Sequence, residues 1–563
     1  MKRVALLVLC ILPTLSLPAH AAWLNDGSPV IVQSSEQFVI GIVSDGFGGT
    51  IVAWYDATTN PPTIYAQRMS SVGTPEWAVA GLPVCTHAFP KSNADVVSDN
   101  AHGAIVCWED GRNGNVDVYA QRLYFNGTPA WVNNGVAVCT ATGNQNHPQL
   151  VSLAAGEATL TWSDARNGAA QSDIYSQRVD AMGATVWAAN GIPVCAAPAQ
   201  QEGPHIVSDE AGGVVIAWQD YRDGNWLDNI GDIYAQRLST SGNLLWGLDG
   251  VAVCTAVAGQ YTPIPVPDGS GGAIIAWVDG RVDPAPWDIY AQRINRLGSP
   301  VWLADGVPVC TAVGLQHLMH VARDGSTGII VGWTDYRDGT AHIYSQRMDI
   351  NGAALWTADG VGVCLAPGGQ SLGDVVSDGA GGAVLAWQDN RNPLPYDVYA
   401  QRLAPNGSDL WTPGGVEFCT DDAAQGAPVV TMDAGGCAVL AWDDHRNADT
   451  DVYAARYVGC VPVGVAEGPP PTALSVSAGI PNPFAATTTL NITLPAPSAI
   501  HVEVYDAAGH RVSVRDFPRA GAGHVVVSID GHDSHGGLLP NGVYFARIEA
   551  GGSRVTRKLV LVH

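Results

Sequence analysis

Residues 383–403 read Ala-Val-Leu-Ala-Trp-Gln-Asp-Asn-Arg-Asn-Pro-Leu-Pro-Tyr-Asp-Val-Tyr-Ala-Gln-Arg-Leu. An apolar run of strand length ends in Trp387-x-Asp389-x-Arg391, a turn rich in Pro and Asn follows, and a second apolar run carries Tyr399 and Arg402. Upstream, Gly373 to Ser377 is an apolar strand and Asp378-Gly379-Ala380-Gly381-Gly382 a turn. Downstream, past Asn406-Gly407 and Trp411, Val416 to Cys419 is one more short strand. Together these are four short β segments with no amphipathic helix.

The same pattern recurs along most of the chain. Tyr-x-(Gln/Ala)-Arg begins at Tyr65, Tyr119, Tyr175, Tyr234, Tyr290, Tyr344, Tyr399 and Tyr453. Each copy is preceded by a Trp with Asp two residues on: Trp54/Asp56, Trp108/Asp110, Trp162/Asp164, Trp218/Asp220, Trp277/Asp279, Trp333/Asp335, Trp387/Asp389 and Trp442/Asp444. A second Trp, at 23, 77, 131, 187, 246, 302, 356 and 411, leads into Gly-x-x-(Val/Phe)-Cys in all units but the first, so repeat positions absorb 16 of the 18 Trp. Four strands repeated at this period are expected of propeller blades, each needing its neighbours to cover both sheet faces. The expected fold is all-β: an eight-bladed β-propeller over residues 22–460, followed by a small Ig-like β-sandwich. Trp23 to Val32 matches a fourth strand, and the last unit stops after its third strand near Tyr457, so the N-terminal strand is expected to close the ring and remove open sheet edges.

A residue needed once for chemistry does not appear in every unit. The Asp after each strand Trp, the Arg two beyond it in seven units (Thr58 stands there in the first), and the third-strand Arg are expected to pair at strand ends between blades. Cys85, Cys139, Cys195, Cys254, Cys310, Cys364 and Cys419 take one equivalent place per unit, too far apart to cross-link, and read as small buried residues. Cys437 and Cys460 differ: a hairpin folding near Asn447 brings them opposite, and a disulfide is expected there.

Composition narrows the function. The chain has 563 residues, 47% of them apolar, and a formal charge of −25. That charge excludes nucleic acid and anionic membranes as partners, and the apolar and Trp content excludes disorder. Residues 1–21 read as a signal peptide: Lys2 and Arg3, an apolar run from Val4 to Leu17, and Ala19-His20-Ala21 as a cleavage site. A secreted, extracellular or outer-surface location is expected. No later stretch is long and apolar enough to span a bilayer.

Function is expected where the repeat breaks. The loops between second and third strands should share one face with the connections between units. The fourth extends through Asp223, Trp226 and Asp228, and the fifth through Asp283 and Trp287. Trp226 and Trp287 are the two Trp outside the repeat; flanked by carboxylates, they suit stacking on sugar rings or docking a protein segment. Tyr396 in the seventh unit is a lesser candidate. His317 and His320 read as ordinary strand residues. No His-Glu-x-x-His, Gly-x-Ser-x-Gly or Gly-Lys-Ser/Thr motif occurs. No catalytic residue, metal ligand or cofactor is expected.

The run Pro, two residues, Ser-Asp-Gly, apolar strand, Asp-x-Arg, Asp-(Ile/Val)-Tyr, as over Ala383 to Leu403, resembles the repeats of TolB-type propellers. Residues 461–472, with Pro469-Pro470-Pro471, read as a linker. Residues 473–563 carry Pro481-Asn482-Pro483-Phe484, Val504-Tyr505-Asp506-Ala507-Ala508-Gly509 and Asn541-Gly542-Val543-Tyr544 over strands at Leu490 to Leu494, His501 to Tyr505, Val525 to Ile529, Val543 to Ile548 and Thr556 to Val562. This module resembles both the Ig-like domain of flagellar hook-capping proteins (FlgD-like) and the C-terminal sorting domains of type IX secretion substrates (T9SS type A). The second resemblance implies an outer-membrane secretion machinery as partner. Three functions follow as expectations: a propeller binding a glycan or protein ligand on its long-loop face, a carbohydrate-active enzyme of the sialidase or polysaccharide-lyase kind, or a structural part of a surface appendage.

Overall fold

The computed structural model describes residues 23–24, 26–57, 60–168, 171–223, 230–281, 287–392, 395–457, 474–476, 487–494, 498–520, 523–533 and 537–562. The expected signal peptide (1–21) and linker (461–472) lie outside these residues. The chain divides into two units, Met1–Val461 and Pro462–His563.

Among the described residues, the first unit consists of eight four-stranded antiparallel sheets and no helix. Numbered along the chain, the sheets span 37–85, 91–139, 145–195, 201–254, 260–310, 316–364, 370–419 and 425–456, the eighth completed by Ser28–Ile31. The first strand of each sheet lies beside the first strand of the next, and Gln425–Met432 of the eighth lies beside Gln37–Ser44 of the first. This arrangement is propeller-like. The N-terminal strand pairs with the last third strand, Ser28 opposite Ala454 and Ile31 opposite Val452. Trp23 then donates its indole N–H to the Ser71 carbonyl at 3.1 Å, as Trp77 does to Phe125 one seam on.

Position in the sheet explains the sequence pattern. Second strands such as Ala104–Asp110 and Ala158–Asp164 are buried at every residue. Strands flank them on both edges and neighbouring sheets cover both faces, so they read as continuous apolar runs without alternation. First strands such as Gln145–Val151 are part-exposed.

The recurrent polar residues form one cluster per sheet. In the third, Trp162 sits opposite Tyr175, and its Nε1 donates to Asp164 Oδ2 at 2.7 Å. Arg166 grips the same carboxylate through Nε (2.8 Å) and Nη2 (2.6 Å), and its guanidinium lies 3.7 Å over the Tyr175 ring. The expected pairing between sheets is therefore corrected: Asp164 and Arg166 are partners two residues apart within one sheet, and Arg122 and Asp99, 23 residues apart, pair at 2.8 Å within the second. Across the seam it is the cysteine that makes contact, Arg166 Nη2 lying 3.5 Å from Cys139 Sγ. Burial pushes that thiol up to about 12, so it stays protonated. Gly191, at φ 84°, admits the Trp: a Cβ there would stand 2.6 Å from Trp162 Cη2.

The seven repeat cysteines are buried and free. Cys437 is disulfide-bonded; its expected partner Cys460 lies outside the described residues.

In the second unit, Ser475–Val476, Thr487–Leu494 and Gly523–Asp530 form one sheet, and Arg511–Ala520, Ser498–Asp506, Gly542–Ala550 and Ser553–Leu561 another. Leu490, Ile492, Val502, Val527, Ile548 and Leu559 make its core.

Candidate functional site

The first strands of the fourth, fifth and sixth sheets break the repeat where they begin. Each opens on the Gln found in seven of the eight sheets (Gln201, Gln260, Gln316), whose N–H bonds the carbonyl just ahead of the previous sheet's third strand, as from Gln316 to Trp287 at 3.0 Å. The residue after that Gln is free to vary, and here it is Glu202, Tyr261 and His317. These side chains meet the ends of second strands at Gln219 and Val278 around a cavity of about 720 Å³. His205, Met319, His320 and Trp287 complete its main walls.

Part of the lining is aromatic. Trp287 is 41% exposed and lies 5.5 Å from Tyr261 between ring centroids. His317 stacks on Tyr336 at 5.3 Å. Among the described lining residues one carboxylate is present, that of Glu202. Glu202 Oε1 accepts from the Tyr221 hydroxyl (3.1 Å) and Oε2 from Gln200 Nε2 (2.7 Å), and Gln219 Nε2 donates to the Tyr221 oxygen at 2.6 Å. Burial and Glu202 push the Tyr221 phenol up, so it remains a donor. Burial, with His320 and His147 nearby, pushes the His205 imidazole down to about 4, so it is neutral at physiological pH. Burial also pushes His317 down. His320 Nδ1 lies 3.5 Å from Asp374 Oδ1. Among the described residues, no Lys or Arg lines the cavity.

Of the predicted site residues, Trp287 is on the cavity wall. Tyr396 is 39% exposed and takes the equivalent place two sheets on, where its carbonyl receives the Gln425 N–H, but it does not line the cavity. Asp223 is exposed, with its carboxylate 3.5 Å from the Tyr234 hydroxyl, and is also not a lining residue. Trp226, Asp228 and Asp283 lie outside the described residues. Glu202, His205, Tyr261 and Met319 line the cavity although the sequence reading does not single them out, and His317 and His320, read there as ordinary strand residues, line it as well. The available signal was variation at the second first-strand position beside an almost constant Gln. Among the described residues, no group of three or more His, Cys, Asp or Glu is placed to hold a metal ion.

The sheets and the cavity together define an all-β, propeller-like protein with a mixed aromatic and polar recess at its strand ends. Residues 481–553 match the FlgD Ig-like domain family. No curated protein matches the chain. Among solved structures it is similar to FlgD of P. aeruginosa, with 30% identity over 13% of this chain and 58% of that one and a TM-score of 0.12. It is also similar to an ulvan lyase of polysaccharide lyase family PL25, with 13% identity over 69% of this chain and 96% of that one and a TM-score of 0.41. A third is PorZ, a surface component of the type-IX secretion system of Porphyromonas gingivalis, with 9% identity over 93% of this chain and 81% of that one and a TM-score of 0.25.

Proposed function

We propose that this is an exported, surface-associated binding protein whose eight sheets are the blades of a closed propeller, and that it holds a neutral glycan at the Trp287 cavity. The observation that carries this reading is the cavity's chemistry. Trp287 and Tyr261 offer ring faces to the C–H face of a sugar, while Glu202 and neutral imidazoles offer hydrogen-bond partners to hydroxyls. An anionic polymer would meet Glu202 and, among the described residues, no lining cation. Among the described residues one carboxylate, Glu202, lines the cavity, where a glycosidase uses two flanking one bond.

The contacts of the eighth sheet with the first support a closed ring, and the TolB-like run at 383–403 is consistent with it. The FlgD-like module supports an extracellular or surface role, and we assign it the hand-over to a secretion machinery. Among the described residues no helix is long and apolar enough to cross a membrane.

The test is a glycan array probed with the full chain and with Trp287→Ala. Neutral oligosaccharides should be retained, with affinity falling at least about tenfold in the variant, the loss of one stacking contact of roughly 1.4 kcal/mol or more. Selective retention of uronates or sulfated glycans, or equal binding by the variant, would overturn the assignment.

A further inference from the structure

The Trp287 cavity does not end at His205. The same His205 also lines a second recess, of about 240 Å³, whose walls include Asn93, His147, Pro148, Gln149 and Pro204. These residues belong to Lys91–Ser98, Gln145–Val151 and Gln201–Ser208, the first strands of the second, third and fourth sheets. The two recesses therefore run in series along consecutive first strands and share a wall. His147 is near enough to His205 to add to the depression of its protonation.

One irregularity builds the second recess. The pairing register with the second strand shifts between Ser92 and Asp95, between Asn146 and Gln149 and between Glu202 and His205, a bulge that re-aims side chains out of the ladder. The residue two beyond the start of each strand then takes a left-handed conformation: Asn93 at φ 44°, His147 at φ 53° and Gly203 at φ 59°. Gly203 shows that the turn itself requires no side chain. Asn93 and His147 hold the same conformation at a steric cost that glycine avoids, and both are exposed. The turn does not account for these two side chains; a ligand beside them does.

Glu109 fixes both residues in place. Its Oε1 accepts from Asn93 Nδ2 and from the His147 backbone N–H, each at 2.8 Å, and its Oε2 accepts from Ser92 Oγ at 2.6 Å. The recess thus presents an amide at Asn93, an imidazole at His147 and a second amide at the half-buried Gln149, groups that both donate and accept, as sugar hydroxyls do. Among the described residues no Asp, Glu, Lys or Arg lines it. Pro148 and Pro204, both buried, add apolar ring surface. Flat apolar surface beside hydrogen-bonding groups is also the chemistry of the Trp287 cavity. A hexose has roughly the bulk of six waters, at about 30 Å³ each, so the second recess has room for one unit beyond those that the first can hold.

We propose that the glycan site continues from the Trp287 cavity past His205 into this recess, so that its ligand is a neutral oligosaccharide of at least three units, with Asn93, His147 and Gln149 forming a further subsite. This rests on the glycan reading of the Trp287 cavity and adds to it a minimum ligand length and the residues that set it.

The test is titration calorimetry of the full chain with the mono-, di-, tri- and tetrasaccharide of the neutral glycan best retained on the array. Wild-type affinity should rise at least about tenfold from disaccharide to tetrasaccharide. In His147→Gly that rise should be lost while the Tm is unchanged or raised, because the left-handed turn is relaxed. Gln149→Ala should lose it too, and serves if the first variant does not fold. Affinity that is level from the disaccharide upward, or a rise that survives in both folded variants, would overturn the proposal and leave the glycan reading standing if Trp287→Ala still weakens binding. Tetrasaccharide binding undiminished in Trp287→Ala, or no binding at any length, would overturn both.

Discussion

Arg281 and Trp287 stand six residues apart in the fifth sheet and belong to different kinds of structure. Arg281 is one of seven copies: it closes a buried cluster with Asp279, lies 3.8 Å over Tyr290 and touches Cys254 across the seam. Trp287 has no counterpart with an indole, is 41% exposed and faces a cavity. Repetition therefore marks residues that hold the sheets, and irregularity marks those to which we assign ligand recognition. The physical reason is burial: the repeated Asp carboxylates are fully buried, and removing one partner leaves an uncompensated charge.

The largest expected effect is on the repeated side. Trp162→Ala removes a fully buried indole and leaves a void against Gly191, and should cost about 3–5 kcal/mol in urea unfolding. Gly191→Ala should cost more than about 1 kcal/mol in the same assay, because it introduces a Cβ at φ 84° against Trp162. Neither change touches the Trp287 cavity.

A pH series sharpens the contrast within the seams. Burial raises Asp443 to about 7 and Asp95, Asp232 and Asp288 to about 6. A carboxyl raised in the folded state contributes stability that is present below its unfolded value, near 3.9, and is lost as pH rises through the folded value. These four groups should therefore lower the Tm between roughly pH 4.5 and 7.5. The Arg-bound Asp110, Asp324 and Asp389 are held below the ordinary range, so their contribution is lost as pH falls below about 4. Differential scanning calorimetry should show a maximum on the acid side of neutrality. Asp443→Asn should flatten the alkaline limb by keeping an acceptor for the Val39 N–H, which Asp443 now bonds at 2.7 Å. The smallest effect belongs to Tyr396→Ala, which should change stability by less than about 0.5 kcal/mol and leave glycan binding unaltered.

Much of the architecture was legible because it is written eight times. In the seventh sheet the fourth strand is Val416–Cys419 and the third Asp397–Leu403, as the turn residues and the Tyr-Arg spacing indicate. The closing strand could be found because an orphan fourth strand and a missing one are complementary. What stayed hidden is where different residues do one job. The residue before the repeated second-strand Asp reaches toward the next sheet as Tyr55, Glu109, Thr334 or Asp443, accepting the N–H of Ala94, His147, Leu372 or Val39. An alcohol, a phenol and a carboxylate serve equally as acceptors, so no letter of the alphabet repeats. The cavity was hidden for a related reason: Glu202, Tyr261 and His317 come from three sheets and meet only when the first strands converge. In the second unit, Arg511–Ala520 was missed because Arg511, Arg515 and Asp516 mask its alternation.

The central claim is that holding the sheets and recognising a ligand are separable, and one paired measurement tests it. Arg281→Ala and Trp287→Ala would each be assayed by calorimetry for Tm and for affinity toward the best neutral oligosaccharide. The account predicts that Arg281→Ala loses about 3–5 kcal/mol of stability yet binds near wild-type strength below its Tm, while Trp287→Ala keeps its Tm and loses affinity at least about tenfold. A Trp287→Ala protein that melts early with its affinity intact, or a folded Arg281→Ala protein that no longer binds, would contradict it.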